Sequence, residues 1–358
     1  MKIFFILGTK AQFIKTIPVI NSAIKKNIEV ILYETGQHPK KAENLIKKIS
    51  GKYEHIKFIK SQDDIGTYSG LIWLMIVSII NIIFKRNKDM KDQLCVVHGD
   101  TLSTLIGAFI VKRNKGKLVL LEAGKTFPGM LKHFPESFIR YCVAKLSNYL
   151  IVNDVDHKNQ LIKWSVKGEI LSIDRNTIYD SLNLVSLKNK SEKNKVTISI
   201  HRTENINSKQ NMSQLVKVIK SIDEEYFINW YLHIPTKNKL KSFRLIEELS
   251  SEHIKLYDLI NYDEFLNEIN SSEFVITDGD GVVEECHLLG IPTLVWRYEH
   301  LDSNFLFKDE NSLFLSKFDL EKSFYFFKNY KNFRRQRTTD KVSPSDEVIK
   351  KLYAIQNN

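Results

Sequence analysis

Residues 274–297, FVITDGDGVVEECHLLGIPTLVWR, confine the chain to one kind of architecture. Phe274-Val275-Ile276 is an apolar run without alternation, as in a strand buried on both faces of a parallel sheet. Gly279-Asp280-Gly281 breaks the run at a point where glycine makes a positive φ cheap. The pattern predicts a helix from Val282 to Leu289, stopped by Gly290 before a second apolar strand from Pro292 to Trp296. A strand, turn and helix in this order set the free N–H groups of the helix at the strand's carboxyl end, a seat for phosphate. Glu284 and Glu285 fall on the first turns, where a carboxylate can accept bonds from ribose hydroxyls or simply complement the helix dipole.

The same alternation runs through the chain. Predicted strands are Lys2–Leu7, Val30–Glu34, Ile56–Ile59, Leu94–His98, Leu118–Leu121 and Tyr149–Val152, with a further short one after Glu169. A polar run from Lys188 to Lys195, KNKSEKNK, has nothing apolar to bury and reads as an exposed linker. Strands then resume at Val196–Ile200, Trp230–Ile234, Lys255–Leu256, Phe274–Ile276, Thr293–Trp296 and Ser312–Leu315. The expectation is two wound α/β domains, 1–173 and 196–340, with 174–195 as hinge and linker. A last helix at Ser345–Ile355, within 341–358, is expected to pack back on the first domain, and 358 residues are enough for two cores.

The net charge is +11, mostly from lysine, yet no zinc spacing, helix-turn-helix signature or basic-aromatic repeat accompanies it. Nucleic acid is therefore not the expected partner; a lysine-rich surface or an anionic substrate is. Cys95, Cys142 and Cys286 are scattered in apolar surroundings and read as reduced thiols of a cytoplasmic protein, and no metal-ligand spacing occurs. Lys2–Leu7 is too short an apolar run for a signal peptide. Leu71–Phe84, LIWLMIVSIINIIF, is too short to span a bilayer. It reads as a helix buried in the domain or in a subunit interface, or, with Lys85, Arg86 and Lys88 beside it, as a peripheral contact with the inner membrane face.

The polar residues of interest cluster at strand ends. Asp100 follows Leu94–His98, Glu122 follows Leu118–Leu121, His201 and Arg202 end the first strand of the second domain, and Asp278 ends a later one. Carboxyl ends of wound strands point into one crevice, so two such domains facing each other would close acids on a histidine and a helix N-terminus. Each residue also has a plainer reading, Asp100 as a helix cap and His201 as a hydrogen-bonded surface group.

Gly8-Thr9-Lys10 with Lys15, Thr35-Gly36-Gln37-His38, Gly99-Asp100-Thr101 with Ser103, Glu122-Ala123-Gly124, Pro135-Glu136 with Arg140, Asn176-Thr177 with Asp180, His201-Arg202 with Glu204-Asn205, and Glu284-Glu285 stand in one order. This order resembles the UDP-N-acetylglucosamine 2-epimerase family. The resemblance implies a GT-B arrangement of two Rossmann-like domains, a homodimer, and no cofactor or metal. It further implies inversion at C2 of a UDP-HexNAc by elimination of UDP and its re-addition, for bacterial surface polysaccharide. Asp100, Glu122, Glu136 and His201 would be catalytic. Lys10, Lys15, His38, Arg140, Arg202, Asp278, Gly279, Asp280, Gly281 and Glu285 would bind the substrate and its nucleotide.

Departures from that pattern fall on the phosphate side. Gly8-Thr9-Lys10-Ala11-Gln12 stands for Gly-Thr-Arg-Pro-Glu, Lys125-Thr126 for a segment with arginine, Gly279-Asp280-Gly281 for Ser-Gly-Gly, Val283 for glutamine, and Glu299-His300-Leu301-Asp302 for Thr-Glu-Arg-Pro. A family histidine falls at Pro235, with His233 as a nearby substitute. An inward-facing Asp280 would repel a diphosphate. The alternatives left open are a hydrolysing relative, a GT-B glycosyltransferase using another nucleotide sugar, and a non-catalytic binding protein.

Overall fold

β1 (Lys2–Leu7), KIFFIL, is apolar and buried from Ile3 onward, which only a central strand covered on both faces can satisfy. The computed structural model describes every residue of the chain except 62, 66, 126–134, 189–192, 298–310, 315–319, 339–341 and 358. Thr126 and Glu299-His300-Leu301-Asp302 lie outside the described residues, as does part of the polar run from Lys188.

The chain divides into two units, Met1–Leu184 with Lys341–Asn358, and Val185–Asp340. In the first, β1 is followed by α1 (Lys10–Lys25), β2 (Glu29–Glu34), α2 (Pro39–Ile46), β3 (Glu54–Lys57), α3 (Tyr68–Phe84) and β4 (Leu94–His98). Then come α4 (Leu102–Arg113), β5 (Lys117–Leu121), α5 (Glu136–Leu146), β6 (Tyr149–Val152), α6 (Val155–Lys163), β7 (Glu169–Ser172) and α7 (Ile178–Ser181). The sheet is parallel with order β3-β2-β1-β4-β5-β6-β7. Its edge strand β3, EHIK, is largely exposed, in keeping with its charged residues.

The second unit contains β8 (Lys195–Ser199), α8 (Thr203–Ile206), α9 (Lys209–Lys220), β9 (Phe227–Leu232), α10 (Ile234–Ser242) and β10 (Ile254–Asp258). It continues through α11 (Tyr262–Asn270), β11 (Phe274–Thr277), α12 (Asp280–Leu289), β12 (Thr293–Val295), β13 (Ser312–Phe314) and α13 (Leu320–Asn329). Its parallel order is β10-β9-β8-β11-β12-β13. Trp230, Trp296 and Phe274 are fully buried in its core, with Phe274 edge-on to Phe326 at 5.5 Å. Lys195 belongs to this sheet rather than to a solvated linker, because Glu268 at 2.7 Å and Ser271 Oγ at 2.9 Å satisfy its ammonium group.

The last helix, α14 (Pro344–Asn357), packs on the first unit. Asp180, on α7, holds its start by accepting from Ser343 Oγ and the Ser345 N–H, both at 2.8 Å. Gly290 ends α12 at φ 72°, as its position after the apolar run predicts. Gly279, however, has φ −86°, so its lack of a side chain is not used for a left-handed turn. A Cβ there would lie 2.8 Å from His201 Cε1; the glycine makes room for that ring.

Among the described side chains of α3 only Leu74 and Ser78 are buried, whereas Ile72, Trp73, Ile76, Ile79, Ile80 and Phe84 are exposed. The segment is thus not a helix buried within its own domain. Among the described residues no helix is long and apolar enough to cross a membrane.

Candidate functional site

In each sheet the chain winds outward in two directions from one pair of strands, β1 and β4 in the first unit, β8 and β11 in the second. Loops leaving the carboxyl ends of such a pair part company and leave room for a ligand.

In the first unit the loop after β1 approaches its neighbours so closely that only glycine fits. A Cβ on Gly8 would stand 1.9 Å from Thr35 Oγ1 and 2.2 Å from Ser103 Oγ. Thr35 donates to Ser103 at 2.8 Å and Ser103 to Gln37 at 2.6 Å, while the His38 N–H bonds the Gly8 carbonyl at 2.8 Å. Burial, then the charge of Lys41, lowers the pKa of His38. Gln12 explains one departure from the family pattern. Its carbonyl accepts from the Gly8 and Thr9 N–H groups, and its amide donates to the His98 carbonyl at 2.7 Å and to Thr104 Oγ1 at 2.8 Å. A glutamate carboxylate has no donor for that second pair of bonds.

Asp100 is not the helix cap. Thr101 caps α4, and the Asp100 carboxylate is free to form an ion pair with Arg140. Glu136 is exposed at the start of α5, and Arg140 lies one turn on, on the same face of that helix. Asp100 and Arg140 are thus paired, and Glu136 stands one turn before Arg140 on the same helix.

Glu122 sits at φ 56°, a left-handed conformation that costs a non-glycine residue about 1–3 kcal/mol and that collects at functional sites. Its Oε1 accepts from Lys15 Nζ at 2.7 Å and Asn176 Nδ2 at 2.9 Å, and Lys125 Nζ is 3.9 Å away. Burial alone would raise the carboxyl pKa, but the charges of Lys15 and Lys125 outweigh it and hold Glu122 well below its ordinary value. His98 Nε2 stands 3.8 Å from Glu122 Oε2, and burial pushes that imidazole down to about 4, so it is neutral at pH 7. Lys15, expected to face a leaving group, is thus bound first to an acid; Lys10 opens α1, half-buried.

Sequence reasoning gave no role to His157, on α6. Its pKa is lowered, first by burial, and it feels the charges of Asp154, Lys125, Glu122 and Arg140, which places it beside the acid cluster. No local pattern in the sequence points to it; in the structure Gly124 packs against its backbone, a Cβ there standing 2.2 Å from the His157 carbonyl oxygen.

In the second unit Asp278 is wholly buried. It accepts from the N–H groups of His201 at 3.0 Å and Arg202 at 2.9 Å, and from Asn205 Nδ2 at 2.8 Å. Asn205 also ties to the Trp296 carbonyl at 2.9 Å. Asp278 therefore shapes the turn rather than presenting itself to a ligand. The His201 ring stacks on His233 at 4.6 Å, so His233 supplies the second imidazole, while Pro235 only opens α10.

Asp280 does not project as a bare anion. Arg202 Nη2 donates to its Oδ2 at 3.1 Å, and Arg297 Nη2 pairs with Oδ1. Val283 lies in the core, and Glu285, almost fully buried, stands beside the Tyr262 hydroxyl, whose pKa is raised by burial and then by the Glu285 charge. Gly281 faces open space, with nothing within 4 Å of a Cβ position.

The two units thus carry distinct chemistry: an acid cluster held by lysines and Arg140 in one, and in the other a helix N-terminus with a histidine pair and two arginines. A UDP-N-acetylglucosamine 2-epimerase of Methanocaldococcus jannaschii is 30% identical over 318 residues, 83% of this chain and 84% of the relative. One of Methanococcus maripaludis is 29% identical over 317 residues, 83% of each chain. The M. jannaschii enzyme solved with UDP-GlcNAc and UDP superposes with TM-score 0.78 at 24% identity, covering 99% of this chain and 100% of that one. A sucrose-phosphate synthase of Thermosynechococcus elongatus follows at TM-score 0.60 and 9% identity, with 99% and 94% covered, and shares the fold alone. The fold is the α/β type expected from the strand pattern, in the GT-B form that the resemblance implied. With residues 22–313 matching the family model for UDP-N-acetylglucosamine 2-epimerase, the ordered motifs have one explanation: the chain belongs to the UDP-N-acetylglucosamine 2-epimerase family.

Proposed function

We propose that the protein inverts C2 of a UDP-HexNAc, with UDP-GlcNAc as substrate, by eliminating UDP to a glycal and adding it back on the other face. The observation that carries this reading is the Glu122 carboxylate, held ionised by Lys15 and Asn176 on a strained backbone. Elimination needs a group that removes the C2 proton and one that returns it from the opposite face. Glu122 and the Asp100–Arg140 pair supply candidate carboxylates, and Glu136 joins them through its helix face. Lys15 is positioned to release Glu122 as negative charge develops on the leaving oxygen, which would return basicity to the acid when it is needed. Glu285 takes the ribose, and the start of α12 with His201 and Arg202 takes the diphosphate.

The test is a proton NMR time course with UDP-GlcNAc in deuterated water. Loss of the C2 proton signal with accumulation of UDP-ManNAc is the expected result. Accumulation of free sugar would indicate the hydrolysing relative, and an unchanged C2 signal would remove the elimination chemistry.

The exposed face of α3 supports a homodimer. Each large apolar side chain withdrawn from water there contributes ~1.5–3 kcal/mol, which favours covering the face with a second copy. Ile76→Asp with Ile80→Asp is expected to convert a dimer to a folded monomer in sedimentation velocity, because both side chains are half-exposed in the isolated chain. A monomeric wild type that sediments with anionic vesicles, and loses them in the variant, would transfer the face to a peripheral membrane contact beside Lys85 and Arg86.

A further inference from the structure

Asp280 takes the place of a glycine in the Ser-Gly-Gly of the family's nucleotide turn, and its surroundings give that change a purpose. Arg297 is 4% exposed, and its Nε is fixed by the Asp278 carbonyl at 2.8 Å. Arg202 is held beside it, with one Nη on Asp280 and the other on Glu204 at 3.2 Å. Burial lowers the pKa of the Arg297 guanidinium, the nearby charge of Arg202 lowers it further, and Asp280 opposes both. Two guanidiniums this close and this dry need an anion between them, and Asp280 is that anion.

A carboxylate bound by arginine forks reproduces the way arginine binds phosphate: paired oxygens against planar N–H groups. Asp280 is also the first residue of α12, so its charge lies at the helix end where a phosphate would be favoured. Beside it Gly281 leaves open space. The seat for an anion is present, and a side chain of the protein sits at its edge, using the same donors.

We propose that Asp280 is an internal competitor for Arg202 and Arg297, lowering the affinity for the nucleotide's diphosphate and speeding its release. This rests on the nucleotide reading of the preceding subsection. An arriving diphosphate shares or takes the guanidinium contacts of Asp280, and on departure the carboxylate reclaims them. The arginines stay paired in the empty protein, and tight product binding is avoided.

Calorimetric titration of UDP and UMP into the wild type, Asp280→Asn and Asp280→Ser tests this. Asparagine keeps an acceptor for the arginines and serine removes the charge with a shorter polar side chain, so failure of one variant to fold leaves the other. The expected result is UDP binding at least tenfold tighter in the variants, a smaller gain for UMP, and a steeper fall of UDP affinity with salt. Wild type that binds UDP while the folded variants bind it equally or more weakly would overturn the competitor role and leave the nucleotide reading standing. Absence of UDP binding in every folded protein would overturn both.

Discussion

Glu122→Gln is expected to reduce C2 proton exchange and epimerisation by ~10²–10⁴-fold, the range for loss of a positioned acid or base, while UDP affinity stays within a few-fold of wild type. Glutamine keeps the shape and an oxygen that can still accept from Lys15 or Asn176, so the substitution removes charge and basicity more than structure. The readout separates two functions of the carboxylate. If Glu122 only anchored Lys15, the variant would lose stability and retain exchange in proportion to the folded fraction. If it moves the proton, exchange disappears from a protein whose urea unfolding is nearly unchanged. Full exchange in folded Glu122→Gln would remove the assignment. Because the wild-type carboxyl is held well below its ordinary value, its ionised form persists through the neutral range, and no loss of the base by protonation is expected as pH falls from 8 to 6.

The strands were legible because a central parallel strand is buried on both sides and must be apolar over most of its length, as Ile3–Leu7 and Phe274–Ile276 are. Boundaries shifted by a residue or two where charged edges joined the ladder, Glu29 on β2 and Lys195 on β8. The site was legible as a set of strand ends and illegible as a set of pairs. Lys15 and Glu122 are 107 positions apart, and Arg202 and Asp280 are 78 apart, so no local pattern announces either contact. That is why Asp280 reads in the sequence as a repulsive anion and in the structure as a neutralised one. Gly279 was singled out correctly as a position needing glycine and given the wrong reason, since a neighbouring ring and not a positive φ excludes the side chain. Asp180, another motif residue, fastens α14 through Ser343 and Ser345. An ordered motif marks a constraint without saying whether the constraint is chemical or mechanical.

Asp278→Ala separates those two meanings and should have the largest effect on stability. The carboxylate is fully buried and accepts from two backbone N–H groups and the Asn205 amide; alanine leaves all three donors without it in a dry turn. Unsatisfied buried donors cost ~1–3 kcal/mol each, partly relieved by relaxation, so a loss of ~3–5 kcal/mol is expected in urea unfolding of the second unit. Burial on its own would raise the Asp278 pKa, yet the bonds from His201 and Asn205 lower it overall from 3.8. A carboxyl depressed in the folded state contributes stability that is present above its unfolded value and lost as pH falls through the folded one. The gap between wild type and Asp278→Ala should therefore stay constant from pH 7 to about 5 and narrow below about 4. UDP affinity should fall with the substitution although Asp278 reaches no ligand, because His201 and Arg202 take their positions from it. A variant as stable as the wild type, with unchanged UDP binding, would mean that the turn holds itself and that Asp278 is dispensable.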